Sequence, residues 1–121
     1  MAGALTGRTA HGIASFLDAL RACKDSYQVD GAAANVTLDD TYPGVWKYDP
    51  TGGHRDVTLD PIATSSGLWR VIINGADAAE NLVLKNVAAD TIGTVNQNEA
   101  GIFYCNGTTW ALVVIVTIAL S

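Results

Sequence analysis

Two histidines, two cysteines and twelve acidic residues, ten of them aspartate, are the main groups in this 121-residue chain suited to proton transfer or metal binding. His54 lies in Gly52-Gly-His-Arg-Asp56, beside turn glycines, and reads as a surface turn residue. His11 is the other histidine, and no serine sits in a Gly-x-Ser-x-Gly elbow that could use either as a base. Asp39-Asp40 has the look of a carboxylate pair, but neighbours on a strand point to opposite faces and would share neither a proton nor a metal. Asp77 and Glu80, in Gly75-Ala-Asp-Ala-Ala-Glu80, lack the regular oxygen-ligand spacing of a calcium loop and read as a solvated hairpin tip. Gly52-Gly53 is not followed by Gly-Lys-Ser/Thr, so no phosphate-cradling loop is expected. Cys23 and Cys105 form neither a CxxC pair nor a zinc-type spacing. No catalytic, cofactor-binding or metal-binding set can be assembled from these residues, so the chain is not expected to be an enzyme and is expected to need no cofactor.

The aromatic residues are the next candidates, because Trp46, Tyr48, Trp69, Tyr104 and Trp110 could floor a sugar-binding groove. Each lies in a segment of alternating polarity, where the core is the ordinary destination of a large ring. The segments follow one another with period two: Val45 to Tyr48, Val57 and Leu59, Trp69 to Ile73, Leu82 and Leu84, Ile102 and Tyr104, then Trp110 to Ile118. Turn chemistry separates them, at Asp49-Pro-Thr-Gly-Gly53, Asp60-Pro61, Ser65-Ser-Gly67, Asn74-Gly75 and Asn106-Gly107. Asn106-Gly107 fits the two positive-φ positions of a type I′ hairpin turn. Val36-Thr-Leu-Asp39 recurs as Val57-Thr-Leu-Asp60, which reads as similar strands ending in similar turns. Seven or eight short strands predict an all-β fold, a small antiparallel sandwich or jelly-roll-like barrel.

Composition agrees. Apolar residues make up 49% of the chain and charged residues 16%, which excludes intrinsic disorder. The net charge of −5 argues against a general affinity for nucleic acid. The apolar run from Ala111 to Leu120 is about half the length of a membrane-spanning helix. Rich in Val and Ile, it reads as a strand buried on both faces, so no membrane partner is expected. No basic region followed by a long apolar run marks a secretory signal, so synthesis in a reducing cytoplasm and two free thiols are expected. For the same reason the triplets Asn35-Val-Thr and Asn106-Gly-Thr carry no weight as glycosylation sites.

The charge divides the chain in two. Residues 1–24 hold Arg8, Arg21 and Lys24 against Asp18, a net of +2, and the remainder carries −7. Ile13, Phe16, Leu17 and Leu20 repeat at the spacing of one helical face, predicting a short amphipathic helix over about residues 10–23. Such a helix is too short to be stable alone and must dock on the body or on another protein. The expected organisation is an N-terminal helix or arm over residues 1–25 and a β-domain over residues 26–121.

Within the β-domain the order of segments carries a family resemblance. Tyr42-Pro-Gly-Val-Trp-Lys-Tyr-Asp-Pro50, Arg55-Asp-Val-Thr-Leu-Asp-Pro61 and Gly67-Leu-Trp-Arg-Val-Ile-Ile-Asn74 come first. Asn81-Leu-Val-Leu-Lys-Asn86, Thr91-Ile-Gly-Thr-Val95 and Phe103-Tyr-Cys-Asn-Gly-Thr-Thr-Trp110 follow. This run resembles the capsid decoration (cement) proteins of tailed bacteriophages, and is similar to β-rich modules of phage head fibres and tail fibres. The resemblance implies a structural virion protein on the outer surface of the phage head, a homotrimer that clamps neighbouring major capsid subunits and stabilises the shell. The alternative it implies is a fibre module that binds host surface glycans. Residues suited to the two contacts lie outside the resembling run. Val114, Val116 and Ile118 are the expected trimer interface, and Arg8, Phe16, Leu17, Leu20, Arg21 and Lys24 the expected capsid contact.

Overall fold

A computed structural model describes residues 27–118, which form nine strands and one 3-10 turn at Ile62–Thr64. The strands are β1 (Tyr27–Gly31), β2 (Val36–Thr37), β3 (Val45–Asp49), β4 (Arg55–Thr58), β5 (Trp69–Asn74), β6 (Leu82–Lys85), β7 (Thr91–Val95), β8 (Glu99–Cys105) and β9 (Trp110–Thr117). The helix expected over residues 10–23 and the arm that contains it lie outside the described residues. Among those described, no helix is long and apolar enough to cross a membrane.

The all-β expectation holds, but the antiparallel one is corrected. The strands form two open sheets, ordered β1-β3-β5-β8-β9 and β2-β4-β6-β7. Through β6 the chain alternates between them, and β1, β3 and β5 pair in parallel, as do β2, β4 and β6. Each successive pair of strands is thus one turn of a flattened coil stacked on the last. Antiparallel pairing is confined to β6–β7, β5–β8 and β8–β9, where the chain reverses and closes the stack. Alternation along a strand reports which residues face inward and carries no information about a neighbour's direction, so period two could not have shown this.

Stacking in parallel register places equivalent positions of successive turns beside one another. Val36 lies opposite Val57, Thr37 opposite Thr58, and Val57 opposite Leu84. The repeated Val-Thr-Leu-Asp string is therefore a true repeat of the coil, in which the same residue type meets the same surroundings one turn on. Leu38 and Leu59 continue the match, donating their backbone N–H to Thr58 O (2.8 Å) and Lys85 O (2.7 Å).

One core lies between the sheets. Trp46, Tyr48, Ile72 and Phe103 face it from the larger sheet, and Val57, Leu82, Leu84 and Val95 from the smaller. Trp46 stacks on Tyr48 with centroids 4.6 Å apart and receives Tyr42 edge-on at 5.4 Å. The polar tips of these rings are satisfied: Trp46 Nε1 donates to Asp30 Oδ2 at 2.7 Å, and Trp110 Nε1 to Asp60 O at 2.9 Å. The Tyr48 hydroxyl lies 3.0 Å and 2.8 Å from the carbonyls of Ala32 and Ala34. Burial pushes the Tyr48 phenol up from its ordinary range. Cys105 is a buried free thiol, and Cys23 lies outside the described residues.

The core is tight where β7, β8 and β9 meet. A Cβ on Gly101 would lie 2.7 Å from Phe103 Cε1, 2.9 Å from Val95 Cγ2 and 3.1 Å from Ile115 Cδ1. Gly101→Ala is expected to destabilise the fold by about 1–3 kcal/mol through overpacking, read as a lower urea midpoint at unchanged slope. Gly75→Ala makes a contact of 2.9 Å with the flexible Lys47 Cε and is the control expected to move little.

Candidate functional site

The outward face of the larger sheet, where Val45 and Ala100 are buried but the edge strands β1 and β9 leave apolar side chains exposed, is the feature that the core does not account for. Strand register lays its residues out in rows. One row runs Tyr27, Val45, Val71, Ile102 and Val114 across all five strands, and the next runs Val29, Lys47, Ile73, Ala100 and Val116. A partial third row is Trp69, Tyr104 and Ala111, in which the Trp69 and Tyr104 rings lie 4.6 Å apart at 44°. Lys47 is the single charge in these rows, on a face that spans about 19 Å at the usual strand spacing.

The apolar surface continues around β9. This eight-residue strand holds no charge, no proline and no glycine, and it forms one edge of its sheet. It was expected to be buried on both faces; instead Leu112, Val113, Val114 and Val116 are 36–53% exposed. The reason is its place at the edge, with only β8 beside it and only part of its inner side against β7, where Leu112 reaches Gly93. A long apolar edge with a row of backbone donors and acceptors facing away from β8 invites a partner, although a bulge at Val113 interrupts its pairing with β8. Of the predicted interface residues, Val114 and Val116 project together from the outward face, one register step apart. Ile118 follows the strand, half-buried, its N–H bonded to Asn98 O at 2.8 Å. The predicted capsid contacts Arg8, Phe16, Leu17, Leu20, Arg21 and Lys24 lie outside the described residues.

The hairpin leading into β9 sits where expected, with a different turn. Cys105 pairs with Trp110, so the loop has four residues, and of its first two only Gly107 has positive φ. Asn106 instead accepts the N–H of Thr108 and Thr109 on its side-chain oxygen, at 2.8 and 2.9 Å. Asparagine bonds its own turn in this way, which the dipeptide alone does not separate from type I′ geometry.

The remaining candidates resolve into structure. His54 is exposed and accepts the Asn81 N–H on Nδ1 at 2.9 Å, a turn role. Asp39 accepts from the hydroxyl and N–H of Thr41, which lower its pKa, and shares nothing with Asp40. Trp46, Tyr48 and Trp110 are core residues, while Trp69 and Tyr104 lie half-buried on the outward face. Asp77 is exposed as a solvated tip requires, but Glu80 is buried.

A cleft of about 690 Å³ opens beside Asp39, Tyr42, Asp60 and Arg70. Arg70, which composition did not single out, fills its base, and all five of its N–H donors are engaged. Nε and Nη2 bind the Asp60 carboxylate at 2.9 and 2.7 Å; the others reach the carbonyls of Asp39 (2.8 Å), Tyr42 (2.9 Å) and Pro43 (2.6 Å). With no donor left for a ligand, this arginine is a joint between turns. A buried arginine cannot be told from an exposed one by its spacing; only its position between Trp69 and Val71 on an inward-facing register carries a trace of it.

Set against known proteins, this chain matches no family model, no curated protein and no solved structure.

Proposed function

We propose that this protein is a structural virion protein, a capsid decoration (cement) protein that assembles as a homotrimer through the outward face of its larger sheet and the β9 edge. The observation that carries the assembly is the charge-free strand β9, with Val113, Val114 and Val116 left at 40–53% exposure. Apolar surface of this kind on a small domain is stable in water when a partner covers it. The phage head as the surface to be decorated comes from the sequence resemblance of residues 42–112. In this reading a trimer bound across a seam adds contacts that exist only in the assembled shell, and so favours that shell by linkage. The basic arm, with Arg8, Arg21, Lys24 and the stripe of Phe16, Leu17 and Leu20, supplies the capsid contact.

The alternative, a fibre module that binds glycans, draws support from one feature, the Trp69–Tyr104 ring pair on the outward face. Mass spectrometry of purified virions separates the two. Decoration predicts hundreds of copies per particle, and a few dozen copies or fewer would overturn it in favour of a fibre.

A further inference from the structure

We propose that Asp49, Asp77 and Glu80 form a binding site for a divalent, oxygen-seeking cation, with calcium as the ion whose size it suits. Each of the three carboxylates contributes an oxygen, and these oxygens all lie within 4.8 Å of one another. Calcium holds oxygen ligands at about 2.3–2.6 Å, so ligands on opposite sides of one ion stand about 5 Å apart, and the triangle fits within that span.

A second observation points into the same place. Glu80 is only 9% exposed, and its Oε1 is buried without a hydrogen-bond partner. A buried carboxylate is stable when it is paired or coordinates a metal. Asp60, the other well-buried acid, obeys that rule through Arg70. Glu80 has no such partner, since the ion pairs among the described residues join Arg70 to Asp60 and Lys85 to Asp56.

The fold builds this triangle from two successive turns of the coil. Asp49 closes β3, and its Oδ1 accepts the Thr51 N–H at 3.0 Å, which orients the carboxylate. The loop after β5 is curled against that strand end: Gly75 N–H donates to Tyr48 O at 2.8 Å. Buried Asn74 fixes the curl from within, donating to Glu80 O at 2.8 Å and accepting the Ala76 N–H at 2.8 Å. A cation here would join the second turn of the coil to the third, with backbone carbonyls or water completing its shell.

The test is thermal unfolding of the full-length protein in EDTA, in CaCl2 and in MgCl2 at matched ionic strength, with calorimetric titration of CaCl2. With a Kd of about 10⁻⁴ M, 10 mM calcium should raise Tm by roughly 10 °C over EDTA. Glu80→Gln keeps the side chain's shape and removes its charge, and should abolish both the shift and the binding heat while remaining folded in EDTA. Asp40→Asn, at an exposed acid elsewhere, should leave the response intact. Equal Tm in calcium and EDTA with no heat of binding would overturn the proposal, as would a full calcium response in Glu80→Gln. An equal response to magnesium would overturn the assignment to calcium.

Discussion

Replacing Arg70 with methionine is expected to lower the unfolding free energy by about 3–5 kcal/mol, the cost of leaving a buried charge without its partner. Asp60, at 4% exposure, would lose both of its guanidinium bonds, and the carbonyls of Asp39, Tyr42 and Pro43 would lose their donor. A domain of this length has a total stability of about 6–18 kcal/mol, so this single change removes a large part of it. Lysine is no substitute, because one ammonium cannot reach a carboxylate in bidentate fashion and three carbonyls besides. Urea unfolding of Arg70→Met, Asp60→Asn and the double variant checks the account. The double variant should be less destabilised than the two single changes added together, since they share one interaction. Additive losses would show that the pair is not coupled.

The second large effect concerns assembly. Val116→Asp is expected to dissociate the proposed trimer while leaving the subunit folded, because Val116 is 41% exposed in the isolated chain and its side chain points away from the core. At a covered seam each introduced carboxylate would be buried unpaired, at about 2 kcal/mol or more, which corresponds to at least a 30-fold weaker contact. Light scattering should show a trimer for the natural sequence and a monomer for the variant, with near-ultraviolet circular dichroism unchanged. A monodisperse monomer for the natural sequence would remove the basis for the proposed assembly. The contrast with Arg70 is physical: one residue holds the subunit together, and the other faces the place where subunits are proposed to meet.

Strand identity was largely legible in the sequence. Trp46 and Tyr48 flank Lys47, Val57 and Leu59 flank Thr58, and all four take up the inward positions that alternation implies, as do Leu82 and Leu84 on either side of Val83. Asn106-Gly107 marks a hairpin because the asparagine side chain bonds the backbone of its own turn and Gly107 takes the positive φ. These are local properties, fixed by side-chain polarity and backbone preference within a few residues. One strand escaped this reading, β1, whose Gln28 and Asp30 put polar groups on the inward side, where Asp30 meets the Trp46 indole.

The direction in which strands pair, and what meets across them, was decided only by the tertiary structure. Val-Thr-Leu-Asp at residues 36–39 and 57–60 is the one trace that the coil left in the chain, and four residues are too few to separate stacking from coincidence. Asp49 stands far from Asp77 and Glu80 along the sequence, and their convergence depends on how one turn of the coil lies over the next. Arg70 and Asp60 belong to different segments and became partners because both lie between the sheets, where desolvation makes each require the other. The exposure of β9 is decided in the same way. Its Val and Ile content specifies a strand, whereas its position at the sheet's edge, which no local preference encodes, leaves that strand uncovered.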